Sequence, residues 1–191
     1  NIANNDVRAK IAQVGNLSIN GKFNGQPLDA IFDGDINTAL GNADIYIDYS
    51  VIAEAKRIDL KGDVKTTGLE LAKITNNDKL GTTAGEISFD IHLNGNNKNG
   101  VIDGNISHFD FNKYRFNNIK SKVIVDNNFI EGLADIDDPN INISVEGKAN
   151  LDKNDPYINV YANAKTINFD KINLTNKYHH LSAEIDAEIK G

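Results

Sequence analysis

The stretch Arg57-Ile58-Asp59-Leu60-Lys61-Gly62-Asp63-Val64-Lys65-Thr66 decides the fold. Charged residues occupy one set of alternate positions, and apolar or small residues fill the other. Successive side chains of an extended strand point to opposite faces, so this stretch has one wet face and one dry face. The same signature recurs in Ile87, Phe89, Ile91, Leu93 and in Ile141, Ile143, Val145. Almost no sequence of helical period is left over to cover the dry side. A broad one-sided sheet must cover its apolar face with a second sheet, by curling on itself, or with a ligand.

Working outward, ten strands are predicted near 14–24, 28–38, 43–51, 56–66, 85–94, 100–109, 114–126, 129–136, 140–151 and 157–166. Asn, Gly and Asp clusters separate them, as at Asn24–Gly25, Asn76–Asn77, Asn127–Asn128 and Asp137 to Asn140. These residues tolerate left-handed turn conformations, so the short connections predict an antiparallel meander. Parallel strands would need long crossovers, which the spacing does not allow. Strand parity breaks at Phe116/Ile119 and at Phe129/Ile130, where bulges or changed register are expected.

Two segments depart from the strand pattern. Leu69 to Ile74 reads as a short helical turn before a polar loop, and Ile167 to Ile172 has the same shape. Leu69 and Ile167 lie 98 positions apart, as do Ile74 and Ile172. Each loop leads into an alternating strand ending in Gly, at Gly95 and at Gly191, an offset of 96. The pattern predicts an internal repeat of several strands plus one crossing segment. On this reading 1–68 ends one unit, 69–166 is a full unit, and 167–191 starts the next.

Composition narrows the function classes. The 191 residues are 40% hydrophobic and 25% charged, enough apolar surface for a sizeable buried area. A formal net charge of -7 argues against nucleic acid as partner and against electrostatic docking on anionic lipid. With no Cys there is no disulfide framework and no thiolate metal site. No apolar run approaches the roughly 18 residues of a membrane-spanning helix. The chain starts at Asn1 and contains no Met, which reads as a piece of a longer protein.

Candidate chemical sites are few. Asp33-x-Asp35-x-Asn37 begins like a calcium loop, but Thr38 stands where that loop needs Gly and Asp44 where it needs Glu, so a solvated strand face is the better reading. His179 and His180 are adjacent and would point apart in a strand, while His92 and His108 are isolated. No G-x-S-x-G elbow is present, and Asp59, Asp63, Asp90, Glu184 and Asp186 each alternate with apolar residues as an outward face requires. The expectation is a non-enzymatic protein with no metal site and no cofactor. Ile45, Ile47, Leu60, Val64, Ile87, Phe89, Ile91, Ile143, Val145 and Val160 are predicted to share the inner face, with Asp44, Asp59, Lys61, Asp90 and Glu146 outside. Several inner positions are small, at Ala43, Ala134, Ala149, Ala162 and Ala164. The pattern by itself leaves an open groove and a closed sandwich core both standing.

The crossing segments carry a more specific likeness. The unit of Leu-x-Leu-x-x-Ile, polar loop, alternating strand and closing Gly resembles the TamB proteins of the translocation and assembly module, in their Bacteroidetes form. Phe169-Asp170-Lys171-Ile172-Asn173-Leu174-Thr175 with Leu181 to Gly191 is the nearest stretch. Asp138-Pro139-Asn140-Ile141-Asn142-Ile143 and Phe23-Asn24-Gly25 followed by Ala39-Leu40-Gly41 are also similar. Each motif is a loose apolar pattern shared with AsmA-like proteins. The resemblance implies an all-β, elongated curved antiparallel sheet, a β-taco trough built from repeats with short crossing segments. It implies a periplasmic location, with the full-length protein anchored in the inner membrane. It further implies phospholipid acyl chains as cargo, an outer-membrane barrel of the Omp85 type as partner, and a role in phospholipid transport or outer-membrane protein assembly. The ten inner-face residues would then line a lipid groove. A closed-core scaffold array and a carbohydrate-binding or adhesin β-solenoid are the alternatives, the latter needing aromatic platforms on the wet face, for which Tyr46, Tyr157 and Tyr161 are the candidates.

Overall fold

The structure is a computed structural model that describes residues 15–175 and 179–190, with only the backbone for 184–190. Eleven strands follow one another in space as they do in sequence: β1 (Ser18–Gln26), β2 (Asp29–Thr38), β3 (Gly41–Ile52), β4 (Arg57–Glu70), β5 (Leu80–Asn94), β6 (Asn97–Phe111), β7 (Tyr114–Asp126), β8 (Phe129–Asp138), β9 (Ile141–Asn150), β10 (Tyr157–Ile167) and β11 (Leu181–Lys190). Every neighbouring pair is antiparallel. Among the described residues the sheet is open, with β1 and β11 as its two edges, and the main strand contacts are those between sequence neighbours. At about 4.8 Å per strand gap, the sheet extends roughly 48 Å across its strands.

Turn chemistry explains the Asn-rich punctuation. Seven non-glycine residues among those described have positive φ, and five of them are Asn: Asn76, Asn112, Asn118, Asn127 and Asn173. Asn enters the left-handed region at lower cost than most residues, because its short amide bonds locally. Asn118 also accounts for the parity break between Phe116 and Ile119, since its φ of 52° turns the strand over in mid-run. No such irregularity occurs at Phe129/Ile130, where the register to β7 and β9 is continuous. Phe129 simply opens β8 on the polar side and is 52% exposed.

Both predicted segments begin in strands, since Leu69 and Glu70 belong to β4 and Ile167 to β10, and the rest of each lies between strands. The first is a one-turn helix, α1 (Leu71–Thr75), closed by left-handed Asn76. The second is a turn spanning 168–174, closed by Asn173 with φ of 58°. The amide of Asn77 reaches Ala72 O at 3.2 Å, and the amide of Leu174 reaches Phe169 O at 3.1 Å, so both close in the same manner. Only the second segment covers a compact core. There Ile172 is fully buried against Phe116, Ile141, Ala164 and Ile167, with Phe109, Phe111 and Tyr114 around them. Beneath this core, buried Asp138 accepts hydrogen bonds from the Tyr114 hydroxyl, the Asn117 amide and side chain, and the Asn140 amide.

Candidate functional site: the open apolar face

Residues opposite each other in an antiparallel ladder share a face, so the register assigns side chains to sides. One row across the sheet reads Gly21, Gly34, Ile45, Val64, Ile87, Gly104, Ser121, Ala134, Val145, Ala162. The next reads Phe23, Phe32, Ile47, Gly62, Phe89, Ile102, Val123, Gly132, Gly147, Val160. A third runs Ala30, Tyr49, Leu60, Ile91, Gly100, Val125, Ile130, Ala149, Ile158, and a fourth joins Ile106, Ile119, Ile136, Ile143 and Ala164. The register thus places Ile45, Ile47, Leu60, Val64, Ile87, Phe89, Ile91, Ile143, Val145 and Val160 on one side.

Among the described residues, no second layer covers that side. Ile87 is 41% exposed, and the other nine of those ten residues are half-buried, shielded only by their neighbours in the sheet. In a closed sandwich such positions would be sealed. The dense core lies instead at one end of β7, β9 and β10, under the 168–174 segment. Rows two residues, or about 6.8 Å, apart, two of them spanning ten strands, one nine and one five, make an apolar surface of roughly 1,000 Å², beyond the few hundred Å² usual on a soluble monomer.

Glycine shapes this face, a signal the alternation alone did not reveal. Gly21, Gly34, Gly62, Gly104, Gly132 and Gly147 all lie in its rows. A Cβ on Gly62 would stand 2.1 Å from the Tyr46 carbonyl oxygen, and one on Gly34 would stand 2.4 Å from that of Asn20. At these points the neighbouring backbone lies too close for any side chain to stand on the apolar side.

The opposite side is a charge ladder. Asp44, Lys65 and Glu86 face one another in sequence, as do Asp48, Lys61 and Asp90. Lys148 and Glu131 meet at 3.1 Å. Cross-strand opposite charges are mildly favourable and keep that side solvated. Asp44, Asp59, Lys61, Asp90 and Glu146 all lie here. His92 bridges Asp59 at 2.6 Å and Asp90 at 2.8 Å, and Arg57 meets Asp59 at 2.7 Å. The His92 hydrogen bond, then Arg57, holds the Asp59 carboxyl below its ordinary range; the same bond raises His92 above its ordinary value. Arg115, with help from Thr82, pulls Asp110 down to about 2. Val101, Ile124 and Leu133 interrupt the polar side with a small exposed apolar patch, missed because Val123-Ile124-Val125 has no alternation to read. Beside it, Lys122, Glu131, Glu146, Lys148 and Tyr161 line a shallow depression.

The remaining candidates fall in ordinary structural roles. Asp33, Asp35 and Asn37 lie within straight β2, where Asn20 and Asn37 hydrogen-bond Asp35. His180 contacts Asn168 at 3.0 Å and His179 lies 3.7 Å from Asp170, both ahead of β11. Among the described residues, no group of three or more His, Cys, Asp or Glu is placed to hold a metal ion, and no helix is long and apolar enough to cross a membrane. Tyr46 and Tyr161 share one polar row and Tyr157 occupies another. Comparison with protein-family models, with curated proteins and with solved structures finds no match to any of them.

Proposed function

We propose that this chain is one stretch of an apolar trough that carries phospholipid acyl chains through the periplasm between the inner and outer membranes. The observation that carries the reading is the eleven-strand sheet with one continuous, uncovered aliphatic face. Each acyl CH₂ moved out of water gains about 0.8 kcal/mol, so two long chains crossing an aqueous gap face a barrier of tens of kcal/mol. A lining mostly of Ile, Val, Leu, Phe, Ala and Gly keeps tails dry, while head groups remain at the wet margins. Such a lining has few hydrogen-bonding groups, Tyr49 and Ser121 among them, which favours sliding over tight capture. The likeness to TamB proteins supports the same reading, together with an inner-membrane anchor and an Omp85-type barrel partner in the full-length protein. A contribution to outer-membrane protein assembly belongs to the same proposal.

The test is site-specific photocrosslinking in the native envelope. Photoreactive residues at Leu60, Phe89 and Val145 are expected to capture phospholipid, and those at Lys61, Asp90 and Glu146 are not. Equal labelling from both sides, or none from the apolar side, overturns the proposal.

A further inference from the structure

The two ends of the strands are not alike. In a meander the connections alternate between two rims, so those after β2, β4, β6, β8 and β10 gather at one rim and those after β1, β3, β5, β7 and β9 at the other. The first rim carries both α1 and the 168–174 segment. There the 168–174 segment folds onto the apolar side. Ile172 packs on Phe116, Ile141, Ala164 and Ile167, beside Ile119, Ile136 and Ile143 of the fourth row. Hydrogen bonds pin it in place. The Asn168 amide bonds Asn140 O at 2.9 Å, and Asn112 and Asn173 exchange bonds from side-chain amide to backbone carbonyl. Asn112 follows β6 and Asn173 follows β10, so the segment reaches back past β9, β8 and β7 as a strap.

The second rim is built differently. Two-residue connections close it at 27–28, 95–96 and 127–128, and among the described residues no buried cluster forms there. Ile58 and Ile158 lie exposed on the apolar side near it. So does Lys98, the one lysine or arginine that the register places on the apolar side of β1 to β10. It extends the row of Val51, Ile58 and Leu93, two residues beyond Leu60 and Ile91. Lys61, Lys65, Lys122 and Lys148 face carboxylates across the polar side, whereas exposed Lys98 faces Leu93. The carboxylates at neighbouring strand ends, Asp29 and Asp126, lie on the polar side. A lysine so placed keeps its methylenes on apolar surface and its ammonium in water, as a point charge for phosphate. We infer that phospholipids lie across the trough in one fixed polarity, with phosphate head groups at the second rim beside Lys98 and tails running along the strands toward the strapped rim. This rests on the lipid reading and adds an orientation to it. The lengths agree. Ile106 lies eight residues beyond Lys98 on β6, roughly 27 Å at about 3.4 Å per residue. An acyl tail spans about half of a hydrocarbon core roughly 30 Å thick, or about 15 Å. A tail entering beside Lys98 therefore ends before the row that the strap covers. Each lipid then passes from strand to strand without turning over.

The test loads the whole chain from phosphatidylethanolamine vesicles carrying one of two photoreactive phosphatidylethanolamines. One has its diazirine on the head group, the other at the tail terminus, and mass spectrometry locates the labelled peptides. The head-group probe is expected to label the turns at 94–97 and 126–129 at least tenfold more than those at 111–114 and 138–141 or the 168–174 segment. The tail probe is expected to label 102–106 and 143–147 rather than either set of turns. Lys98→Glu is expected to cut head-group labelling at 94–97 severalfold, and Lys98→Arg to keep it near wild type. Head-group labelling equal at the two rims, or stronger at the strapped one, overturns the polarity, while tail labelling of the apolar side still upholds the lipid reading. Absence of tail labelling on the apolar side overturns both. Head-group labelling unchanged by Lys98→Glu overturns the phosphate contact.

Discussion

Ile74 and Ile172 hold equivalent places in the two crossing segments, yet Ile172 is fully buried and Ile74 is 44% exposed. Removing buried methyl and methylene groups costs transfer energy plus a cavity, so Ile172→Ala is expected to lose about 2–4 kcal/mol, and Ile74→Ala well under 1. Chemical denaturation of both variants checks the difference, and equal losses would contradict the burial. Sequence periodicity put both residues in like segments but could not separate them, because the packing of Ile172 comes from Phe116, Ile141 and Ile167, far away in the chain. Buried Asp138 was invisible for the same reason: its partners Tyr114 and Asn117 are brought to it by strand pairing. Asp110 gives a second test at this scale. Its folded pKa of about 2 lies below the unfolded value, so it stabilises the fold above about pH 4, and that stabilisation fades as pH falls from 4 to 2. Partial exposure of the Arg115 pair limits the effect to about 1 kcal/mol. The loss of stability between pH 7 and pH 3, followed by urea unfolding, is expected to be smaller in Asp110→Asn by about half that amount, since pH 3 lies midway through the fade.

Individual strands were legible because one-sided burial forces a period of two, and that period survives in the sequence of β4, β5 and β9. Their ends were less so. β5 begins at Leu80 rather than near 85, since Leu80-Gly81-Thr82-Thr83-Ala84 pairs after a bulge and shows no alternation. Nor did alternation reveal how closely the strands approach. Glycines within the apolar rows read as gaps in a pattern, whereas the structure uses some of them where neighbouring backbone leaves no room for a side chain. Gly62→Ala puts a methyl 2.1 Å from the Tyr46 carbonyl oxygen, so backbone must shift, at a cost of about 1–3 kcal/mol. Gly68→Ala is the control within the same strand, because a methyl there meets nothing within 4 Å. Thermal unfolding is expected to drop by several degrees for the first and to stay near wild type for the second. A Gly62→Ala protein of unchanged stability would mean that β3 and β4 do not approach this closely.

At the scale of the whole molecule, sheet class and the membership of the apolar face were legible, but its covering was not. A one-sided sheet gives the same alternation whether a second layer seals it or nothing does, and composition cannot decide between them. Among the described residues, the open edge-to-edge order and half-exposed rows leave the face uncovered. That geometry sets the response to a charge placed mid-face. In a sealed core, an unpaired carboxylate costs several kcal/mol, enough to unfold a domain of ordinary stability. Here Ile91 and Val145 are only half-buried, so the carboxylate of Ile91→Asp or Val145→Asp reaches water, and stability is expected to fall by no more than about 2 kcal/mol. The same charge interrupts the dry path, since acyl chains sliding past it must meet a hydrated group. Thermal unfolding of each variant, paired with phospholipid transfer by the full-length protein, separates the consequences: a folded variant with impaired transfer is the expected result. Collapse of the fold at both positions would mean the face is sealed, and a folded variant with undiminished transfer would mean that tails do not travel along it.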